Sequence, residues 1–248
     1  MVSTARSIEL PDPDETVEAL PEAARRAIGA HWLGRASAEL SVAISFEALL
    51  PRLRGVRAAD VVVALAVKAI EDERRHGELC VRLASRYLGR PIEPPKPRDG
   101  ALPDFGTGDE DLEVALVVLG MCCINESIAS EWIRSSWKVA TSPTALHANR
   151  AHLHDEIDHA RLGWAHLGSS AVGDRTRRQL RSWIPKIVDA NVREWKRADA
   201  HLPAEGIPAH GHLSAADSAE VVDAAVRDVV VPGLAHLGLA DSVPGVRT

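Results

Sequence analysis

The stretch from Arg90 to Gly108 constrains this chain more than any other. It carries Pro91, Pro94, Pro95, Pro97 and Pro103, and nothing in it can propagate a helix. On both sides Ala, Leu, Arg and Glu dominate, and apolar residues recur at three- and four-residue spacing, as amphipathic helices require. Aromatics make up only 4% and the alternation of a sheet protein is missing, so the chain reads as all-α. Before the break, one helix is expected from about Ala27 to Leu53. A second follows from Asp60, an N-cap, to about Tyr87, with Gly89 as its C-cap. After the break, a third spans about Asp109 to Ala140, with Asp109, Glu110 and Asp111 at its positive end. Ser142 as N-cap and Pro143 as first residue then open a fourth, which runs to about Leu167. The links within each pair are short and make antiparallel hairpins. The proline-rich link, about 19 residues, is long enough to travel the length of a bundle, which gives two hairpins joined by one long crossover.

Two further helices are expected, from Arg175 to Ala198 with a kink at Pro185, and from Ser214 to about Val230 with Asp217 in a box-like position. The first 20 residues, Pro203 to His212 and the tail after Asp241 read as extended or mobile. The expectation is a single domain over 1–248, with a bundle core at about 27–168 and additional helices at about 173–230. At 46% hydrophobic, 248 residues can bury a large core without disulfides. A formal charge of −6 offers no footprint for nucleic acid. Cys80, Cys122 and Cys123 form no CxxC motif, which suits a reducing cytoplasm and excludes a cysteine zinc ribbon or rubredoxin-type iron site. Met1 to Glu15 lacks a signal-peptide core, and the apolar run Val114 to Ile124 falls short of the ~20 residues a bilayer needs. A soluble, cytoplasmic protein with no membrane partner is expected.

Two segments carry chemistry. Asp72-Glu73-Arg74-Arg75-His76 and Asp155-Glu156-Ile157-Asp158-His159 are both Asp-Glu-x-x-His, each on the second helix of a hairpin. Residues three apart share a helix face, so each Glu and His can ligate one metal ion together. One such motif is a common accident of charged helices; two in matching places are not. A dinuclear site needs one more carboxylate from each partner helix. Folding the first hairpin about Val56-Arg57 sets Glu39 level with Glu73, whereas Glu47 would demand a turn near Asp60. Folding the second about Thr141-Ser142 sets Glu126 level with Glu156, and Glu131 falls on a different face. Glu126 also follows the apolar Met121-Cys122-Cys123-Ile124, a costly place for an unpaired charge. Small or apolar residues line these faces: Ala66, Ala69, Cys80, Leu119, Cys122 and Gly163.

Glu39, Glu73-x-x-His76, Glu126 and Glu156-x-x-His159 together resemble the ferritin-like di-iron carboxylate superfamily over roughly residues 27–168. The resemblance implies a ferritin-like four-helix bundle holding two iron ions, with manganese compatible with the same donors. True ferritins lack the second Glu-x-x-His, and the cysteine iron domain usual in rubrerythrins is absent from this sequence. The Asp before each Glu resembles the acids that orient ligand histidines in bacterial di-iron monooxygenases, a role that falls by position to Asp72 and Asp155. Where that family often has Arg before the second His, this chain has Asp158. His152, one turn before Glu156, makes a His152, Glu156, His159 series similar to the extra-histidine site of the arylamine N-oxygenases. His147 and His154 point elsewhere.

What the resemblance implies is a non-haem di-iron oxygenase or oxidase that activates O2 and acts on a small organic substrate, by N-oxygenation or hydroxylation in biosynthesis. Electrons come from an external donor, a reductase or ferredoxin, because no flavin, nicotinamide or iron–sulfur motif appears and Gly106-Thr107-Gly108 is too little for a phosphate cradle. Beyond the metal ligands, no separate catalytic residue is expected. A homodimer is compatible with all of this. Tyr87, the single tyrosine, lies about four turns from Glu73 and is a poor seat for a stable radical. The rival readings are a rubrerythrin-like peroxidase or ferroxidase, and a metal-free helical module whose acids pair with its arginines.

Overall fold

A computed structural model of the chain describes residues 9–97, 100–197 and 199–239. The expected C-terminal tail, the first eight residues and Ala198, the expected end of the fifth helix, lie outside the described residues. Among the described residues every regular element is helical, and the one strand-like feature is an isolated bridge between Ile207 and His212. A short turn of helix, α1 (Glu15–Glu18), precedes the long α2 (Glu22–Gly55) and α3 (Asp60–Leu88). Past the crossover come a continuous rod, α4 (Glu110–Val139), and α5 (Pro143–Gly168). Then follow α6 (Asp174–Leu180), α7 (Ile184–Trp195), a 3-10 turn at Pro208–His210 and α8 (215–236).

α2 packs along α3, and α4 along α5. The two pairs meet chiefly across α3 and α5. At the α2–α3 turn the amide of Ala58 reaches back to Leu53 O, and Arg57 takes the left-handed conformation (φ 56°) that glycine more often supplies at a helix end. The apolar interior lies in two parts. Phe46, Leu49 and Leu53 of α2 join Val62, Ala66 and Ala69 of α3 and Leu162 of α5 in the larger one. Ile28, Trp32 and Ala36 of α2 join Leu83 and Tyr87 of α3 and Ala148 of α5 in the smaller. Between these segments, on all three helices, sit the acidic and histidine residues.

Several local expectations need correction. α2 begins at Glu22, five residues before Ala27. Asp60 is the first helical residue of α3, not its cap. Ser142 does occupy the cap position of α5, but its side chain does not cap the helix. Asp14 does so from a distance, accepting hydrogen bonds from Thr144 N (2.9 Å) and Ser142 Oγ (2.9 Å) while also capping α1 through Thr16 N (3.0 Å). Residues 9–20 are therefore tied down rather than free. The Pro203–His212 segment is likewise ordered by its 3-10 turn and bridge, with His210 and His212 buried. The kink expected at Pro185 is a full break three residues earlier, and Pro185 sits in the first turn of α7, where its missing N–H costs nothing.

Two π segments escaped the sequence pattern. One, Val226–Val230, carries α8 beyond Val230 to His236, just before Pro232, whose ring a regular α-turn would not accommodate. The other, Leu119–Asn125, lies in the middle of α4 and ends one residue before Glu126. Its widened turn receives Ile187 of α7 against Gly120, and Trp195 Nε1 donates to Asn125 Oδ1 at 2.9 Å. Opposite, Gly163 of α5 comes so close that a Cβ there would meet Cys123 Sγ at 2.7 Å and Cys122 Cβ at 2.8 Å. α4 as a whole is long and apolar enough, by length and composition, to cross a membrane, but 83% of its most apolar window is buried inside the molecule.

Candidate metal centre

α3 presents Glu73 and His76, one turn apart, to the interior, and α5 presents Glu156 and His159 in the same way; all four are at most 2% exposed. Glu39 of α2 and Glu126 of α4 are also buried. Their donor atoms form two overlapping groups. In Glu39, Glu73, His76 and Glu156, one ligand atom from each lies within 4.8 Å of the others. The same holds for Glu73, Glu126, Glu156 and His159. Glu73 and Glu156 belong to both groups. The hairpin arithmetic thus leads to neighbouring side chains, while Glu47 is exposed on Arg74 and Glu131 pairs with Arg134.

The imidazoles are oriented the same way on both helices. His159 Nδ1 lies 3.1 Å from Glu73 and 3.2 Å from Glu156, and His76 Nδ1 lies 3.6 Å from each of the same two carboxylates. The far nitrogens cross between hairpins, with His76 Nε2 donating to Asp155 (3.3 Å) and His159 Nε2 to Asp72 (3.4 Å). Each aspartate therefore orients the histidine of the other helix and turns its Nδ1 towards the Glu73 and Glu156 carboxylates. Arg75 spans both aspartates, donating to Asp72 at 2.6 Å and Asp155 at 2.5 Å, and Lys68 adds a bond to Asp72 at 2.6 Å. Asp158, directly before His159, pairs outward with Arg161 and faces Lys68.

The electrostatics are those of a negatively charged interior. Burial raises Glu39 to about 7, with Glu73 and Glu156 adding to the shift and Arg35, 2.7 Å away, opposing it. Burial together with Glu156 and Glu73 pushes Glu126 far above the usual carboxylate range. Burial disfavours a charged His76, yet Asp155, Glu73 and Glu156 outweigh it and lift the imidazole to about 10; His159 is lifted likewise by Asp72, Glu156 and Glu73. A cation placed among these carboxylates would relieve their repulsion and displace those protons. The donor set fits a metal pair by a second criterion. Glu73 Oε2 and His76 Nδ1 are buried and face one another at 3.6 Å, longer than a good hydrogen bond, with no other partner.

His152 is fully buried and its ring packs edge-on against His76, with centroids 4.4 Å apart. It belongs to neither group of four. Its donor atom instead joins Glu39 and the thiol of Cys80 in a third group within 4.8 Å, so it adjoins the α2–α3 side only. Cys80 was visible as a lining residue, and its place four positions after His76 was the signal for something nearer. Arg35, four before Glu39, was missed, as was the π segment that delivers Glu126. Tyr87 is away from the centre, its hydroxyl 2.9 Å from His210 Nδ1. Around Gly106-Thr107-Gly108, the amides of Phe105 and Thr107 are taken by Glu113.

The crossover lines a cavity of about 450 Å³ together with Arg52 and Glu113. A second, of about 580 Å³, lies at the α2–α3 turn beside Ser169 and Ser170. Neither touches a residue of the candidate centre. No protein family matches the chain, and no curated protein does either.

Proposed function

We propose that this chain is a ferritin-like di-iron carboxylate protein that uses O2 to oxidise a small organic substrate. The single observation that supports the reading is the sharing of Glu73 and Glu156 between two four-residue donor groups, each completed by one further carboxylate and one histidine. In this reading Glu39 and His76 would hold one ion and Glu126 and His159 the other, with Glu73 and Glu156 available to both. Four carboxylates balance two divalent ions, and the residues are the oxygen and imidazole donors that iron or manganese accepts. When bound, such a pair supplies electrons to dioxygen, with further electrons drawn from an external reductase or ferredoxin. The rest falls to the protein. Asp72 and Asp155 hold the two imidazoles in one tautomer, Arg75 and Lys68 hold the aspartates, and the buried Phe46 and Cys122 beside His159 and Glu126 keep bulk water from the centre.

A second reading has an observation of its own. Both cavities lie away from the centre, as suits a rubrerythrin-like peroxidase or ferroxidase, whose reactants are small. Anaerobic reconstitution with ferrous iron tests the proposal and separates the two. Two irons per chain by elemental analysis, followed by a near-ultraviolet oxo-bridge band on exposure to O2, are expected. Less than one iron, or one manganese, per chain would sink the metal reading. Repeated ferrous oxidation with mineral formation, or peroxide turnover without organic substrate, would replace the oxygenase by the second reading.

A further inference from the structure

A second polar cluster lies on the far side of His152, around Trp32, where α2 faces the ordered 203–212 segment. The rings of His31 and His212 meet edge-on at 4.7 Å, and the Trp32 ring lies 5.8 Å from His212 and is stacked at 6.2 Å with His152. The Arg35 guanidinium lies between Trp32 (5.4 Å) and Trp132 (5.8 Å). Buried nitrogens without a partner concentrate here: Trp32 Nε1, Arg35 Nη1, His31 Nε2 and both ring nitrogens of His212. Native interiors leave few such groups, and a contiguous set of them marks a place where something polar binds.

The donor and acceptor types describe the ligand. Trp32 Nε1 and Arg35 Nη1 can only donate. Buried beside Arg35 and His31, His212 is kept neutral and has one N–H to give. These three donors call for a group with several acceptor lone pairs, and the guanidinium selects an anion. Arg35 Nη2 is already committed to Glu39, so its free Nη1 is the arm that a second carboxylate would take. His31, like the second ring nitrogen of the neutral His212, adds the opposite requirement. Its Nδ1–H is spent on Asp199, which leaves Nε2 as a buried acceptor. The ligand must therefore also carry a hydrogen to give. A hydroxyl meets that need without placing a second cation beside Arg35.

We propose that this cluster is a binding site for a small hydroxy-carboxylate, its carboxylate on Arg35, Trp32 and His212 and its hydroxyl on His31. The site requires no metal ion, so it stands or falls apart from the reading of the neighbouring centre. Calorimetric titration of the full-length, metal-free chain with glycolate, and in parallel with acetate and with chloride, tests it. Glycolate should bind at one saturable site, about tenfold more tightly than acetate for the one hydrogen bond to a buried acceptor. Trp32→Phe, which removes the N–H donor while keeping an aromatic ring, and Arg35→Gln should each weaken glycolate at least tenfold. Arg134→Gln, on the surface, should leave it unchanged. No saturable binding would mean that the cluster holds only water. Equal affinity for glycolate, acetate and chloride, or glycolate binding indifferent to both cluster variants, would equally overturn the proposal.

Discussion

The two hairpins carry the same Asp-Glu-x-x-His, yet they surround it differently. On the α2–α3 side, Glu39 has a cation within 2.7 Å, and His152 and Cys80 stand next to it. On the α4–α5 side, Glu126 has the His159 imidazole and Glu156 near it, with Asn125 at 3.5 Å, and its other neighbours are Cys122 and the aromatic ring of Phe46 beyond His159. α2 reaches its carboxylate as a regular helix, while α4 reaches Glu126 through a π segment. A repeated motif thus sits in two surroundings, one with a guanidinium, a thiol and a third imidazole beside it and one that is mostly apolar. The difference comes from what packs behind the motif, not from the motif itself.

The sharpest way to break this comparison is to remove the carboxylates one at a time. Glu73→Gln and Glu156→Gln remove donors common to both groups and should reduce the iron retained after reconstitution from two per chain to almost none. Glu39→Gln and Glu126→Gln should each leave one, measured by elemental analysis, with unchanged helical circular dichroism. If Glu73→Gln and Glu126→Gln lose the same amount, the sharing of Glu73 is wrong. The crossed aspartates come next. Asp155→Asn should lower metal affinity about 10- to 100-fold through His76 on α3, and Asp72→Asn through His159 on α5.

A pH series then separates protons from metal. His76 is raised to about 10 from an unfolded value near 6.5, so the stability it contributes is complete below 6.5 and is lost as pH rises through 10. His159 moves in the same direction. The metal-free chain should therefore melt at steadily lower temperature from pH 6.5 to 10, and the iron-loaded chain, with ligands already deprotonated, should not. The smallest expected effects come from two glycines. Gly163→Ala would force α5 off the π segment and should cost about 1–3 kcal/mol in denaturant melts. Gly34→Ala, inside α2 with open space around it, should stabilise by about 0.5–1 kcal/mol.

The helix pairs, the crossover and the level pairing of Glu39 with Glu73 and of Glu126 with Glu156 were readable in the sequence. They follow from proline positions, turn positions and the 3.6-residue period, which are local properties of the chain. Only the tertiary structure decided that Asp14 caps α5, that α4 widens before Glu126, that Asp72 and Asp155 serve the histidine of the opposite hairpin, and that His31 and His212 meet across 181 positions. Each of these joins residues far apart in the chain or depends on a neighbour's volume, as Gly163 against Cys122 and Cys123 does. Periodicity specifies which face a residue occupies, but not what the fold will bring against that face.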